Sequence, residues 1–129
     1  MVSSESPKRL LFRQFAAIAK AGFDFVEICV TRDLMPEKPS SEFEPVLKAA
    51  KNLPILAFSA NVLLPGDLKI VGPDVDSARV ERYLETAFER ARQLGLKTIV
   101  FGSGGAKKFP ETFSRAEAWR QLLDFGLLA

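Results

Sequence analysis

The stretch of this chain best furnished for chemistry is Thr98–Pro110, TIVFGSGGAKKFP. An apolar run stops at Gly102, Ser103, Gly104 and Gly105, and Lys107 and Lys108 follow. Glycine at the end of a strand lets the backbone turn tightly and approach a ligand closely. A dinucleotide fingerprint needs a third glycine where Lys107 stands, and a P-loop needs Gly-Lys-Ser/Thr, so neither motif is present. The chain has no histidine. That removes Ser-His-Asp and Cys-His nucleophile systems and every histidine-containing metal site. Acid–base work would fall to carboxylates, lysines or the single tyrosine. Cys29 has no neighbour in sequence that would lower its pKa, and it reads as a small apolar side chain.

The elements that must position these residues alternate. Met1–Ser6 reads as a loose tail, with a helix starting at Ser6-Pro7 and carrying Leu11, Phe15, Ile18 and Ala19 to a stop at Gly22. Phe23–Val30, FDFVEICV, predicts a strand in which Glu27 pairs with a nearby Lys or Arg or faces a site. Thr31–Pro39 is a loop. Ser41 and Glu44 predict a capping box for a second helix, with Pro45 near its first turn and Asn52-Leu53-Pro54 at its end. Ile55–Asn61 predicts the next strand. Val62–Val75 is long for a strand-to-helix connection and reads as a lid, a binding loop or a surface excursion. Asp76 or Ser77 caps the longest helix, which runs to Gly95. Val80, Leu84, Ala87, Ala91 and Leu94 form its apolar face, and Glu81, Arg82, Glu85, Glu89, Arg90 and Arg92 its solvated one. Thr98–Phe101 lacks polar alternation and predicts a strand buried on both faces. Ser114 and Glu117 predict a capping box for a last helix, with Trp119 as an outer-layer packing residue and Gly126 past its apolar run. Helices between strands imply parallel pairing with right-handed crossovers.

Val100–Pro110, followed by Glu111 and Phe113, resembles the segment after the fourth strand of the sugar phosphate isomerases/epimerases, the xylose isomerase-like TIM barrels. There the pattern runs V-F-G-S-G-x-A-R-x-x-P-x-x-F. Lys107 stands where the family has arginine, which keeps the charge and loses the two-pronged contact. Ala21–Ile28 is similar to the family's second strand, G-[FY]-D-x-V-E. Asn61, Leu64-Pro65-Gly66 and Val71-Gly72-Pro73 look like the loop after its third strand, which covers the sugar.

The resemblance spans Leu11 to Phe125. It implies an α/β fold in which residues 1–129 form a partial (β/α)8 TIM barrel, three parallel strands (two to four of the family) alternating with four helices. It implies metal-dependent isomerisation or epimerisation of a small sugar or sugar phosphate. The metal, Mn, Mg, Co or Zn, is held in the family by Glu, Asp, His and Glu from strands five to eight. Those strands are missing from this sequence, so no metal is expected on this chain alone. What remains is a set of substrate-side contacts: Glu27, Asn61, Gly102, Ser103, Gly104 and Lys107. No strand precedes the first helix, so the reading places the chain's start after the first barrel strand.

The bulk properties fit that reading. A complete barrel takes about 250 residues, and this chain has 129. A net charge of +2 with interspersed signs gives no basic stripe for nucleic acid. The single cysteine excludes an internal disulfide and fits a reducing compartment. With no apolar run long enough for a membrane and no signal-peptide pattern, a cytoplasmic protein is expected. Two rivals share the topology. An endonuclease IV-like repair protein would carry zinc-binding histidines, which this chain lacks. A non-catalytic half-barrel would use its exposed sheet edges to self-associate.

Overall fold

A computed structural model describes residues 7–129, with side chains from Gln14 onward. The tail at Met1–Ser6, the proposed start at Ser6 and the side chain of Leu11 lie outside the described residues. The element order is α1 (Pro7–Lys20), β1 (Phe25–Cys29), a π-helical turn (Val30–Leu34), α2 (Ser40–Ala50), β2 (Leu56–Asn61), α3 (Ser77–Leu94), β3 (Thr98–Ile99), a 3-10 turn (Gly105–Lys107) and α4 (Arg115–Leu128). The three strands form one open parallel sheet in the order β1-β2-β3. The α/β class, the alternation and the parallel pairing are as the sequence predicts.

One face of the sheet is covered. Val26, Ile28, Ala57 and Ala60 point into a core shared with Phe43 and Val46 of α2 and Val80, Leu84, Ala87 and Ala91 of α3. The other face is open, and Phe25, Leu56, Phe58, Val100 and Phe101 are exposed on or beside it. This corrects the expectation that Thr98–Phe101 is buried on both faces. An apolar run reports that a strand wants cover, and among the described residues nothing covers this side.

Capping follows the sequence at α3 and α4 and departs from it at α2. The Asp76 carboxylate accepts from Arg79 N–H at 3.0 Å, and Gly95 closes α3 with a φ of 76°. Ser114 Oγ accepts from Glu117 N–H at 3.3 Å, but the Glu117 carboxylate turns to Arg120 rather than back to the cap. The Ser41–Glu44 box does not form. Helix α2 begins at Ser40 behind an extended Pro39, so Ser41 already lies inside the first turn and its hydroxyl cannot cap. Helix α4 does not stop at Gly126 but runs through it to Leu128.

Two polar residues of α3 are buried. Tyr83 donates its hydroxyl proton to Leu63 O at 2.8 Å, and burial pushes its pKa up. Below the ordinary tyrosine value of about 10 the hydroxyl is neutral in both states and its stabilising preference is complete. As pH rises past that value the unfolded chain ionises first, and the preference is lost towards the native pKa. Because Tyr83 is the only tyrosine, phenolate absorbance should titrate well above pH 10 in the native chain and near 10 in denaturant. Equal midpoints would contradict this account. The second buried residue is Arg90, which corrects its assignment to the solvated face. Its guanidinium donates to Leu34 O at the end of the π-helical turn and to Met35 O and Lys38 O in the loop that follows.

Candidate functional site

The register of β1 on β2 builds the site. Glu27 pairs with Ser59 and Cys29 with Asn61, after a bulge that leaves Phe58 unpaired. Side chains two apart on a strand share a face, so Glu27, Ser59 and Asn61 converge on the open side. Ser59 Oγ donates to Glu27 Oε2 at 2.9 Å, and Asn61 Nδ2 donates to Glu27 Oε1 at 2.8 Å. The expected alternative, a Lys or Arg partner for Glu27, is not what the carboxylate finds: a hydroxyl and an amide hold it from the neighbouring strand. Each carboxylate oxygen keeps a free lone pair, and Asn61 Oδ1 is an acceptor. The cluster therefore presents acceptors and suits a ligand rich in O–H donors.

The glycine turn lies beyond β3, at the same C-terminal edge of the sheet. Ser103 Oγ accepts from Leu64 N–H at 3.0 Å, three residues after Asn61. Lys107 Nζ sits 5.0 Å from the Phe101 ring centroid, a cation–π contact. Phe101 in turn packs on Phe125 of α4, centroids 5.0 Å apart. Gly102 and Gly104 have open space around them. Of the six residues the sequence singles out, Glu27 and Asn61 are joined directly. Ser103 is tied to the loop after Asn61, and Lys107 is drawn onto Phe101.

Residues 62–76 are neither a free lid nor a surface excursion. Leu63, Leu64, Leu68, Ile70 and Val71 are buried in the core. Ile70 N–H donates to Ala106 O at 3.1 Å, and Lys69 Nζ to Gly105 O at 2.6 Å. Gln121 of α4 closes a pair of hydrogen bonds with Gly72, at 2.7 and 3.0 Å. Arg79 ties Asp67 of this loop to Glu37 of the preceding one, and the guanidinium holds both carboxylates below their ordinary range. At the edge of the cluster the backbone is strained. Val62 has a φ of 51° and Ser103 one of 42°, and left-handed geometry is rare for a β-branched residue. Strain of this kind gathers where a fold holds a site in a set geometry.

Ser59, Phe101 and Lys69 escaped the sequence reading. No family model, curated protein or solved structure matches the chain. The site therefore rests on its own chemistry. Among the described residues no group of three or more His, Cys, Asp or Glu side chains could hold a metal ion. No helix among them is long and apolar enough to cross a membrane.

Proposed function

We propose that this chain supplies the substrate-side wall of a metal-dependent sugar or sugar-phosphate isomerase or epimerase of the xylose isomerase-like barrel type. The observation that carries the reading is the Glu27 carboxylate, held by Ser59 and Asn61 on the uncovered face of a parallel sheet. In a barrel that face is the interior, and ligands bind where the strands end. The acceptor cluster would take sugar hydroxyls, and Lys107 would offer positive charge to a phosphate or hydroxyl. Among the described residues no ligand cluster fits a metal, so in this reading the metal ligands would come from strands five to eight of the completed barrel, and no metal-dependent step is assigned to this chain.

The test is completion. Joined to related segments carrying strand one and strands five to eight, the chain should gain metal-dependent isomerase or epimerase activity. Glu27→Gln should lower kcat/KM at least about tenfold, because the neutral amide offers a donor where acceptors are needed. Lys107→Ala should raise KM more than it lowers kcat, and Lys107→Arg should be tolerated. A folded, metal-loaded barrel that is inactive, or indifferent to both Glu27→Gln and Lys107→Ala, would remove the reading. Alone, the chain should show no manganese or cobalt site tighter than about millimolar by calorimetry. A stoichiometric micromolar site would mean that other ligands stand in for the missing ones.

The open apolar face favours one further reading, a non-catalytic half-barrel that assembles through its sheet. Phe25 and Phe58 stack there with centroids 5.3 Å apart, and both β1 and β3 are edges with unpaired backbone groups.

A further inference from the structure

Helix α4 is apolar on two opposite sides. Ala118 and Phe125 face the core and are buried. Trp119, Leu123 and Leu127 recur every four residues on the outward side, with Trp119 65 % and Leu127 87 % exposed. The sequence assigns Trp119 to packing, yet among the described residues nothing buries it. An exposed apolar stripe rimmed by polar residues marks an interaction surface.

We propose that this outward stripe is a two-fold interface between two copies of the chain, with α4 packed antiparallel on α4. The proposal goes beyond the isomerase reading and uses none of the residues assigned to that site. Three features point to a second copy rather than another partner. The first is self-complementary charge. Arg120 and Asp124 lie on one flank of the stripe, already ion-paired at 2.6 Å within the helix. In an antiparallel pair centred on Leu123, Arg120 of each copy comes within about 3 Å, measured along the axis, of Asp124 of the other. One contact is thus made twice, as a two-fold interface requires. The second is shape. On the other flank, Trp119 of one copy comes level with Gly126 and Leu127 of the other. Gly126 leaves open space on the helix surface where a side chain would otherwise stand. An indole over that gap gives a reason for a glycine inside the helix. The third is area. The three outward side chains expose on the order of 400 Å² of apolar surface, large for a single patch on a monomer. That is about half of what each partner contributes to a standard interface, and the Arg120–Asp124 rim would add to it.

Sedimentation equilibrium of the chain from about 1 to about 100 micromolar is the test. A dimer is expected within this range. Trp119→Glu should raise its dissociation constant at least about tenfold with the far-ultraviolet dichroism unchanged. Gly126→Leu should also weaken the dimer while leaving helix content equal or higher, since leucine is the better helix former. Arg120→Asp should weaken association, and Arg120→Asp combined with Asp124→Arg should restore it. A chain that stays monomeric throughout overturns the proposal. So does association that survives both Trp119→Glu and Gly126→Leu but is lost on Phe58→Glu, which would assign it to the open sheet face.

Discussion

Arg90→Ala is expected to destabilise the chain by about 3–5 kcal/mol, a large share of the roughly 5–15 kcal/mol that holds a domain together. Arg90 is buried, and its guanidinium reaches three carbonyls of the π-helical turn and the following loop, of which Met35 O also accepts from Lys38 N–H. The bonds to Leu34 O and Lys38 O are 2.8 and 2.7 Å. The same group lies 5.0 Å from the Phe43 ring centroid, so it also fills the space between α2 and α3. Burial lowers its pKa, and no carboxylate among the described residues offsets that cost. Its charge is met by carbonyl dipoles and by the face of the Phe43 ring. Alanine would leave buried acceptors unpaired and a cavity where the stem had packed. Arg90→Lys keeps the charge, but one ammonium cannot reproduce the fork, so most of the loss should remain. Arg92→Ala is the control. Arg92 pairs with Glu89 on the exposed face, and losing so solvent-screened a pair should cost little beside the loss of Arg90. Urea unfolding would report all three. A loss below about 1 kcal/mol for Arg90→Ala would show that water replaces the guanidinium without penalty.

Arg90 also shows what a sequence does and does not disclose. Its neighbours Glu89 and Arg92 suggested a solvated face. Yet Tyr83, Ala87, Arg90 and Leu94 recur at helical spacing, so the buried register was present and masked by residue type. Helix limits were legible where a cap is local, as at Asp76 and Gly95. They were not legible at α2, where the extended Pro39 decides the start before Ser41 can act. In the site, Glu27 and Asn61 could be singled out from their strands, but Ser59 could not. Its alignment with Glu27 depends on the bulge that leaves Phe58 unpaired, a property of two strands together. The exposure of Val100 and Phe101 is likewise a matter of what covers a sheet, which no local pattern records. Val62–Val75 looked like a lid or a binding loop because of its length, and its prolines and glycines also suited a surface excursion. Its five buried apolar side chains make these residues part of the core instead.

Gly105→Ala should break the clasp that fixes those residues over the end of the sheet. A methyl carbon on Gly105 would lie 2.9 Å from the Gly66 Cα, nearer than such contacts occur, and the obstacle is backbone that cannot rotate aside. One strand of the clasp must move. The expected cost is about 1–3 kcal/mol, concentrated in the bonds that the approach permits: Lys69 Nζ to Gly105 O, Ile70 N–H to Ala106 O and Leu64 N–H to Ser103 Oγ. Gly104→Ala makes the same chemical change one residue earlier, where the backbone is helical and nothing lies within 4 Å. It should be close to neutral. Hydrogen exchange separates the two, with the Leu64 and Ile70 amides losing protection in Gly105→Ala and keeping it in Gly104→Ala. The consequence reaches the site, because Leu64 follows Asn61 through the strained Val62. Freeing Leu64 lets Val62 relax to ordinary extended geometry and swings the Asn61 amide away from Glu27. A Gly105→Ala chain with full protection at both amides would mean that the close approach is incidental and that Asn61 is positioned by β2 alone.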